Sequence, residues 1–171
     1  PAAHGGNRTG RIFTGDRSGD FLYRALHRAG FANQPWSRHR DDGLTVQGCY
    51  ITAAVRCAPP DNKPTPSELS TCRPFLVEEI GLLRGLRVIV ALGRIAFDAF
   101  LKGWAEAGQA PPAARPVFGH GRLARLPGDV WLIASYHPSQ QNTQTGRLTA
   151  AMFQQIFARA CRLVEGPPAK R

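Results

Sequence analysis

Three short apolar runs set the limits of what this chain can fold into. They are Cys49–Val55 (CYITAAV), Leu86–Leu92 (LRVIVAL) and Val130–Tyr136 (VWLIASY). Continuous apolar runs of this length read as strands buried on both faces. Amphipathic segments alternate with them. Ser18–Ala29 places Phe21, Leu22, Ala25, Leu26 and Ala29 at helical spacing, with Gly30 as a stop. Thr65-Pro66-Ser67-Glu68 opens a helix expected to reach about Leu83. Arg94–Ala107 and Leu148–Val164 supply two more. Such alternation predicts an α/β fold, a parallel sheet covered by helices on both faces. The chain opens on Pro1-Ala2-Ala3-His4-Gly5-Gly6 without a methionine. A fourth strand ahead of Pro1 would complete the sheet, so the expectation is that an N-terminal segment is missing.

The 171 residues are enough for one core without disulfide staples. Residues 1–165 read as one domain and 166–171 as a frayed tail. No apolar run reaches the ~18 residues of a membrane span, and no signal peptide opens the chain, so a cytoplasmic, nucleoid-associated monomer is expected. Lys plus Arg is 22 against 12 for Asp plus Glu, a formal charge of +10. The excess is mostly Arg and is spread through the fold, which makes a polyanion the first partner to consider. Four cysteines, at 49, 57, 72 and 161, are too few and too irregular for a disulfide scaffold.

In open parallel sheets, ligands sit beyond the C-terminal ends of the strands. Three polar loops are placed there. The first, within Pro1–Asp20, carries His4, Asn7, Arg8, Arg11, Phe13 and Asp16. Its cations suit phosphate, and its aromatic suits a flat ring. Asp16 suits water activation, or helix capping with Ser18. The second, Arg56–Pro66, is stiffened by four prolines and holds Cys57 and Asn62, with Cys72 fifteen positions beyond Cys57. Two thiolates are half of a zinc or iron–sulfur ligand set, or two buried thiols. The third, Tyr136–Arg147, is dense in hydrogen-bonding groups, with His137 suited to a developing negative charge. Elsewhere His39 lies between Arg38 and Arg40, where charge is the simplest account, and His120, in Phe118-Gly119-His120-Gly121, is a candidate for supporting a site residue from a turn. Trp36, Trp104 and Trp131 are assigned to packing.

PAAHGGNRTGRIFTGDRSGD, ITAAVRCAPPDNKPTPSE and SYHPSQQNTQTGRLT, in that order, resemble the three signature blocks of the uracil-DNA glycosylase superfamily. The match is to its iron–sulfur branch, called family five or type B, and VALGRIAFDAF continues it between the second and third blocks. The resemblance implies a three-layer α/β/α sandwich around a four-stranded parallel sheet. It also implies hydrolysis of the N-glycosidic bond of uracil and other deaminated bases in DNA. A structural 4Fe–4S cluster is implied as well, with Cys57 and Cys72 as two of its ligands and the other two in a preceding segment. Cys49 and Cys161 do not fall on ligand positions. Where related branches place an Asn to read the uracil edge, this chain has Ala53, which fits relaxed base choice, hypoxanthine included.

The site residues expected on that basis are Asp16, His137 and Asn62 for catalysis. Phe13 is expected to stack on an extruded base, because chemistry on a stacked base requires flipping. His4, Asn7, Arg8 and Arg147 are expected at the lesion or its phosphates. Gln140, Asn142 and the rest of that loop are expected in the groove. No catalytic metal is needed. The alternative from another class is a basic nucleic-acid-binding module without catalysis. An unrelated hydrolase or nucleotide-binding protein lacks a Gly-x-Ser-x-Gly elbow or a Gly-x-Gly-x-x-Gly loop after a strand.

Overall fold

Two of the three apolar runs are strands. The computed structural model, which describes residues 2–60 and 63–166, pairs β1 (Val88–Leu92) with β3 (Val130–Ser135) in parallel, from Val88 opposite Trp131 to Leu92 opposite Ser135. A short strand that the periodicity did not predict, β2 (Leu123–Leu126), pairs antiparallel with β3. The order is β1-β3-β2. Among the described residues the expected four-stranded parallel sheet is therefore a three-stranded mixed one. The reversal is local: β2 and β3 are joined only by Pro127–Asp129, with Gly128 at φ 75°, and so short a link can connect only antiparallel neighbours.

The third run, Cys49–Val55, is not a strand. A strand exists only where another backbone lies alongside to accept its ladder, and a cleft separates this segment from the free edge of β1.

Four of the six helices fall where apolar spacing or a start signal placed them. They are α1 (His4–Thr9), α2 (Arg17–Arg28), α3 (Pro66–Leu82), α4 (Arg94–Glu106), α5 (Gln140–Gln144) and α6 (Ala150–Glu165). Thr65 and Glu68 close a reciprocal capping box at the start of α3. Leu132 and Ala134 of β3 face Leu76, Ile80, Phe97 and Trp104 of α3 and α4. Ile133 faces the other way, onto Ile156 and Ala160 of α6. Helices thus cover both faces of the sheet. On the α6 side, Leu22 and Leu26 of α2 pack with Phe153 and Phe157.

Two expected loops contain helices. His4–Thr9 is helical despite its paired glycines, because Gly5 is needed for contact rather than for flexibility. A Cβ there would lie 2.1 Å from the Thr14 carbonyl oxygen. In the third loop, Ser139 caps α5 by accepting from the Asn142 N–H at 3.4 Å. The tail at 167–171 and Asn62 lie outside the described residues.

Candidate active site

The parallel strands β1 and β3 both end at one side of the sheet. There a cleft of about 1350 Å³ runs from Phe13, Asp16 and His137 at its mouth to the apolar edge of β1 and the α6 residues Phe157 and Ala160 within.

Asp16 is held by the chain it caps. It is the N-cap of α2, its Oδ1 accepting from the Gly19 N–H at 2.8 Å. Its Oδ2 is buried and has no hydrogen-bond partner among the described residues. The capping role is therefore taken by Oδ1, and Oδ2 is left without a protein partner among the described residues. A buried, unpartnered carboxylate oxygen is costly, and at a cleft it marks where water or a ligand atom is received. Phe13 takes φ 58°, a left-handed conformation that non-glycine residues rarely adopt. It is locked there because a Cβ on Gly19 would come within 1.9 Å of the Phe13 carbonyl oxygen, so only glycine lets α2 start this close. The Phe13 ring stacks on His137, with centroids 5.8 Å apart and planes at 28°.

His137 follows β3 directly. Gly93, at φ 95° after β1, leaves room for it, since a Cβ there would lie 3.1 Å from the His137 Cβ. The Gly93 N–H donates to the Ser135 carbonyl at 2.8 Å, which ties the two strand ends together. Burial pushes the His137 imidazole down to about 4. At neutral pH the ring is uncharged and has one N–H to donate.

Of the remaining predicted residues among those described, Gln140 lines the cleft, and His4, Asn7, Arg8, Asn142 and Arg147 lie outside its lining. His4, Asn7 and Arg8 lie exposed on α1. The Asn7 Oδ1 accepts from the Ala58 N–H at 3.2 Å, joining the first loop to the second. Gln140 is exposed and lines the cleft. The Asn142 amide donates to the His137 carbonyl at 2.9 Å, so it orients the histidine's backbone. The Arg147 guanidinium lies 4.7 Å from the Tyr136 ring centroid. Arg11, which sequence grouped with the phosphate-binding residues, is already occupied by Asp42 and Ser37, at 2.7 and 3.1 Å.

A model of the uracil DNA glycosylase superfamily matches residues 1–161. The chain belongs to the uracil DNA glycosylase superfamily. It is 55% identical over 163 residues to a type-5 uracil-DNA glycosylase of Thermus thermophilus, covering 95% of this chain and 72% of that one. It is 54% identical over 164 residues to a type-5 enzyme of Mycobacterium bovis, of which it spans 60%. A type-4 uracil-DNA glycosylase of Pyrobaculum aerophilum is 31% identical over 134 residues, 78% of this chain and 60% of that one.

This superfamily member also has site residues that motif reading placed poorly. The Nδ1 of His120 accepts from the Tyr136 N–H at 3.2 Å, and its ring stacks on Tyr136 at 5.1 Å. Burial lowers the His120 pKa, which keeps Nδ1 free to accept. His120 therefore fixes the peptide just before His137. The turn was visible in Phe118-Gly119-His120-Gly121, but its target was not. Thr14 and Ser37 share a buried hydroxyl–hydroxyl hydrogen bond of 2.6 Å that no motif announced.

The thiols divide into two pairs. Burial pushes the Cys49 thiol up to about 11, and Cys161 donates to the Ala29 carbonyl at 3.5 Å, so both are packing groups. Cys57 is exposed in the second loop and Cys72 is half-buried on α3. Among the described residues no three His, Cys, Asp or Glu side chains group to hold a metal ion, so these two thiols fit at most half of a four-thiolate set. Among the described residues no helix is long and apolar enough to cross a membrane.

Proposed function

We propose that this chain carries the active site of a DNA glycosylase of base excision repair. It would hydrolyse the N-glycosidic bond of uracil, and of other deaminated bases such as hypoxanthine, after flipping them from the duplex. The observation that carries the reading is the mouth of the cleft. A carboxylate with one unpartnered buried oxygen, a locked aromatic ring and a neutral imidazole meet there, in a chain of this superfamily.

The extruded base stacks on Phe13. The C1′–N bond lengthens, and its electron pair leaves with the base while positive charge grows on the sugar. His137, being uncharged, stabilises the departing anion by donating a hydrogen bond rather than by transferring a proton. The free Oδ2 of Asp16 faces the opposite charge. It stabilises the oxocarbenium-like sugar and orients the water that adds to C1′, whose proton passes to solvent. The departing base takes its proton from solvent. Asn62 completes the catalytic set as a hydrogen-bonding partner of the base or the water. Ala53, a small apolar residue lining the cleft, supplies no donor or acceptor to reject a purine. His4, Arg8, Gln140 and Arg147 contact DNA around the lesion.

Two further parts belong to this reading. The cleft beside the free edge of β1 is a slot for a further parallel strand, which would make the sheet four-stranded. A structural 4Fe–4S cluster would take Cys57 and Cys72 as two ligands and two thiolates from outside residues 1–171. It would staple the proline-rich loop to α3 and take no part in the chemistry. The protein would act as a monomer on cytoplasmic DNA.

The test is a single-turnover base-release assay, read by alkaline strand cleavage, on a duplex with U·G and another with hypoxanthine·T. Release of uracil is expected, and the ratio of the two rates measures how open the pocket is. Salt-sensitive DNA binding without release would favour the non-catalytic binding module instead.

A further inference from the structure

The excursion between α2 and residue 49 is built in an unusual way. Its base is pinned by the Gln47 N–H to the Phe31 carbonyl at 2.9 Å and by the Asn33 side chain, which joins the Thr45 N–H and the Gly43 carbonyl at 2.8 and 2.9 Å. Its tip is wrapped around Asp42. That carboxylate accepts from the backbone N–H groups of Arg38, Leu44 and His39, at 2.6, 3.1 and 3.4 Å, and from the Arg11 guanidinium. Against the penalty of burial, these donors hold the Asp42 carboxyl well below the usual carboxylate range. Buried Ser37 fastens the tip to the first signature block through Thr14, and its carbonyl accepts from the Gly15 N–H at 3.1 Å.

All of these bonds use backbone atoms or residues other than the loop's own cations. Arg38, His39 and Arg40 are exposed, and among the described residues their side chains form no ion pair or hydrogen bond. The Arg38 guanidinium rests 5.7 Å from the ring centroid of Trp36, which is itself 43% exposed rather than packed as the sequence suggested. Neighbouring Gly15 precedes Asp16 and lies beside the Arg8 guanidinium. A rigid tip with two unspent guanidinium groups, Arg38 and Arg40, therefore stands next to the mouth of the cleft. A surface that serves only solubility has no need of a pre-ordered backbone, whereas a phosphate clamp gains affinity from one. Asp42 is neutralised by Arg11, and the opposing charge left on the loop is exposed Asp41.

We propose that Trp36–Arg40 is a second DNA contact, a pre-ordered clamp on the phosphate backbone of duplex DNA flanking the extruded nucleotide. It rests on DNA being the partner, as in the reading above, but not on catalysis.

The test measures binding of an undamaged duplex by fluorescence anisotropy across a salt series. Each lost phosphate contact flattens the slope of log K against log salt by about 0.9. Arg38→Ala and Arg40→Ala are each expected to flatten it by that amount, and the double variant by the sum. Asp41→Asn is expected to tighten binding. Arg125→Ala, on the opposite edge of the sheet, removes the same charge and is expected to leave the slope unchanged. Unchanged slopes for Arg38→Ala and Arg40→Ala would overturn the proposal. So would an equal change for Arg125→Ala, which would mean that only net charge counts. Because the duplex is undamaged, a protein that binds but releases no uracil would sink the glycosylase reading and leave the clamp measurable.

Discussion

The two walls of the cleft are made differently. One wall, residues 2–19 with the loop tip at 37–42, is interlocked through backbone: Gly5 against Thr14, Gly19 against Phe13, and Gly15 bonded to Ser37. The other, residues 48–54, is in no strand ladder among the described residues. Its anchors are side chains converging on Glu79, which accepts from Tyr50, Thr52 and Arg56 at 3.0, 2.7 and 2.6 Å. The wall that carries Phe13 and Asp16 is tied mainly backbone to backbone, while the wall beside the free edge of β1 is tied mainly through side chains. Electrostatic catalysis needs this asymmetry, because donors and charges must be fixed before charge develops, whereas a wall that only encloses can tolerate movement.

The largest expected effect is at His137, which stacks on Phe13 of the interlocked wall. His137→Ala should slow single-turnover uracil release by about 10²–10³-fold, or ~3–4 kcal/mol, with DNA affinity retained. Asp16 allows a sharper division. Asp16→Asn keeps an N-cap acceptor and removes the charge, so it should lose a similar factor in rate with little change in melting temperature. Asp16→Ala should lose that factor and about 1 kcal/mol of stability as well. If Asp16→Asn cleaves like wild type, the carboxylate is only a cap.

Next in size is a single methyl group. Gly19→Ala forces a Cβ to 1.9 Å from the Phe13 carbonyl, a backbone atom that cannot swing away. Overpacking of this kind typically costs about 1–3 kcal/mol, and the rigidity here places the expected loss at the upper end. Urea unfolding would read it. Glu79→Ala on the other wall removes the acceptor of three donors, but Tyr50 and Arg56 are exposed and turn to water, so the loss should be about 1 kcal/mol. The comparison predicts different consequences for the two. Gly19→Ala should lower the rate of base release along with stability, because it moves Phe13 and Asp16. Glu79→Ala should lower stability more than rate. Equal loss of rate in both would mean that the walls work as one unit.

The same asymmetry explains what was legible in the sequence. Helices α2, α4 and α6 follow from apolar spacing and α3 from its Thr65–Glu68 start, and their ends fall within about two residues of those expected. Strands β1 and β3 follow from apolar runs. Cys49–Val55 misled because strand propensity is a property of residues and pairing is a property of neighbours. The four-residue β2, with Arg125 in it, has too little alternation to register. Gly5 and Gly6 suggested a loop in α1, yet close packing against Thr14 selects glycine at Gly5, so tertiary contact overrode helix propensity. Asp16, Phe13 and His137 were legible as chemistry in polar loops. Asp42 and Glu79 were not, since an acid that organises a loop looks in sequence like any surface acid.

The smallest effect concerns how dry the cleft is. His137 is held neutral down to about 4, whereas an unfolded histidine titrates near ~6.5. Between those values the unfolded chain binds more protons than the folded one, so stability rises with pH across that window. The contribution is complete above ~6.5 and lost as pH falls toward 4. Urea midpoints at several pH values between 7.5 and 5 should therefore decline in the wild type and decline less in His137→Phe. His120, lowered in the same direction, accounts for part of the remaining slope. Asp42 adds little between pH 7.5 and 5, because its depressed carboxyl loses its contribution only as pH falls into the ordinary carboxylate range and below it. The rate of base release should stay flat through ~6.5, since the donor is already uncharged. Loosening the wall held by side chains should change this. In Glu79→Ala, water reaching His137 should move the acid limb of the rate profile upward, toward ~6.5. An unmoved limb would place the dryness of His137 wholly in the interlocked wall.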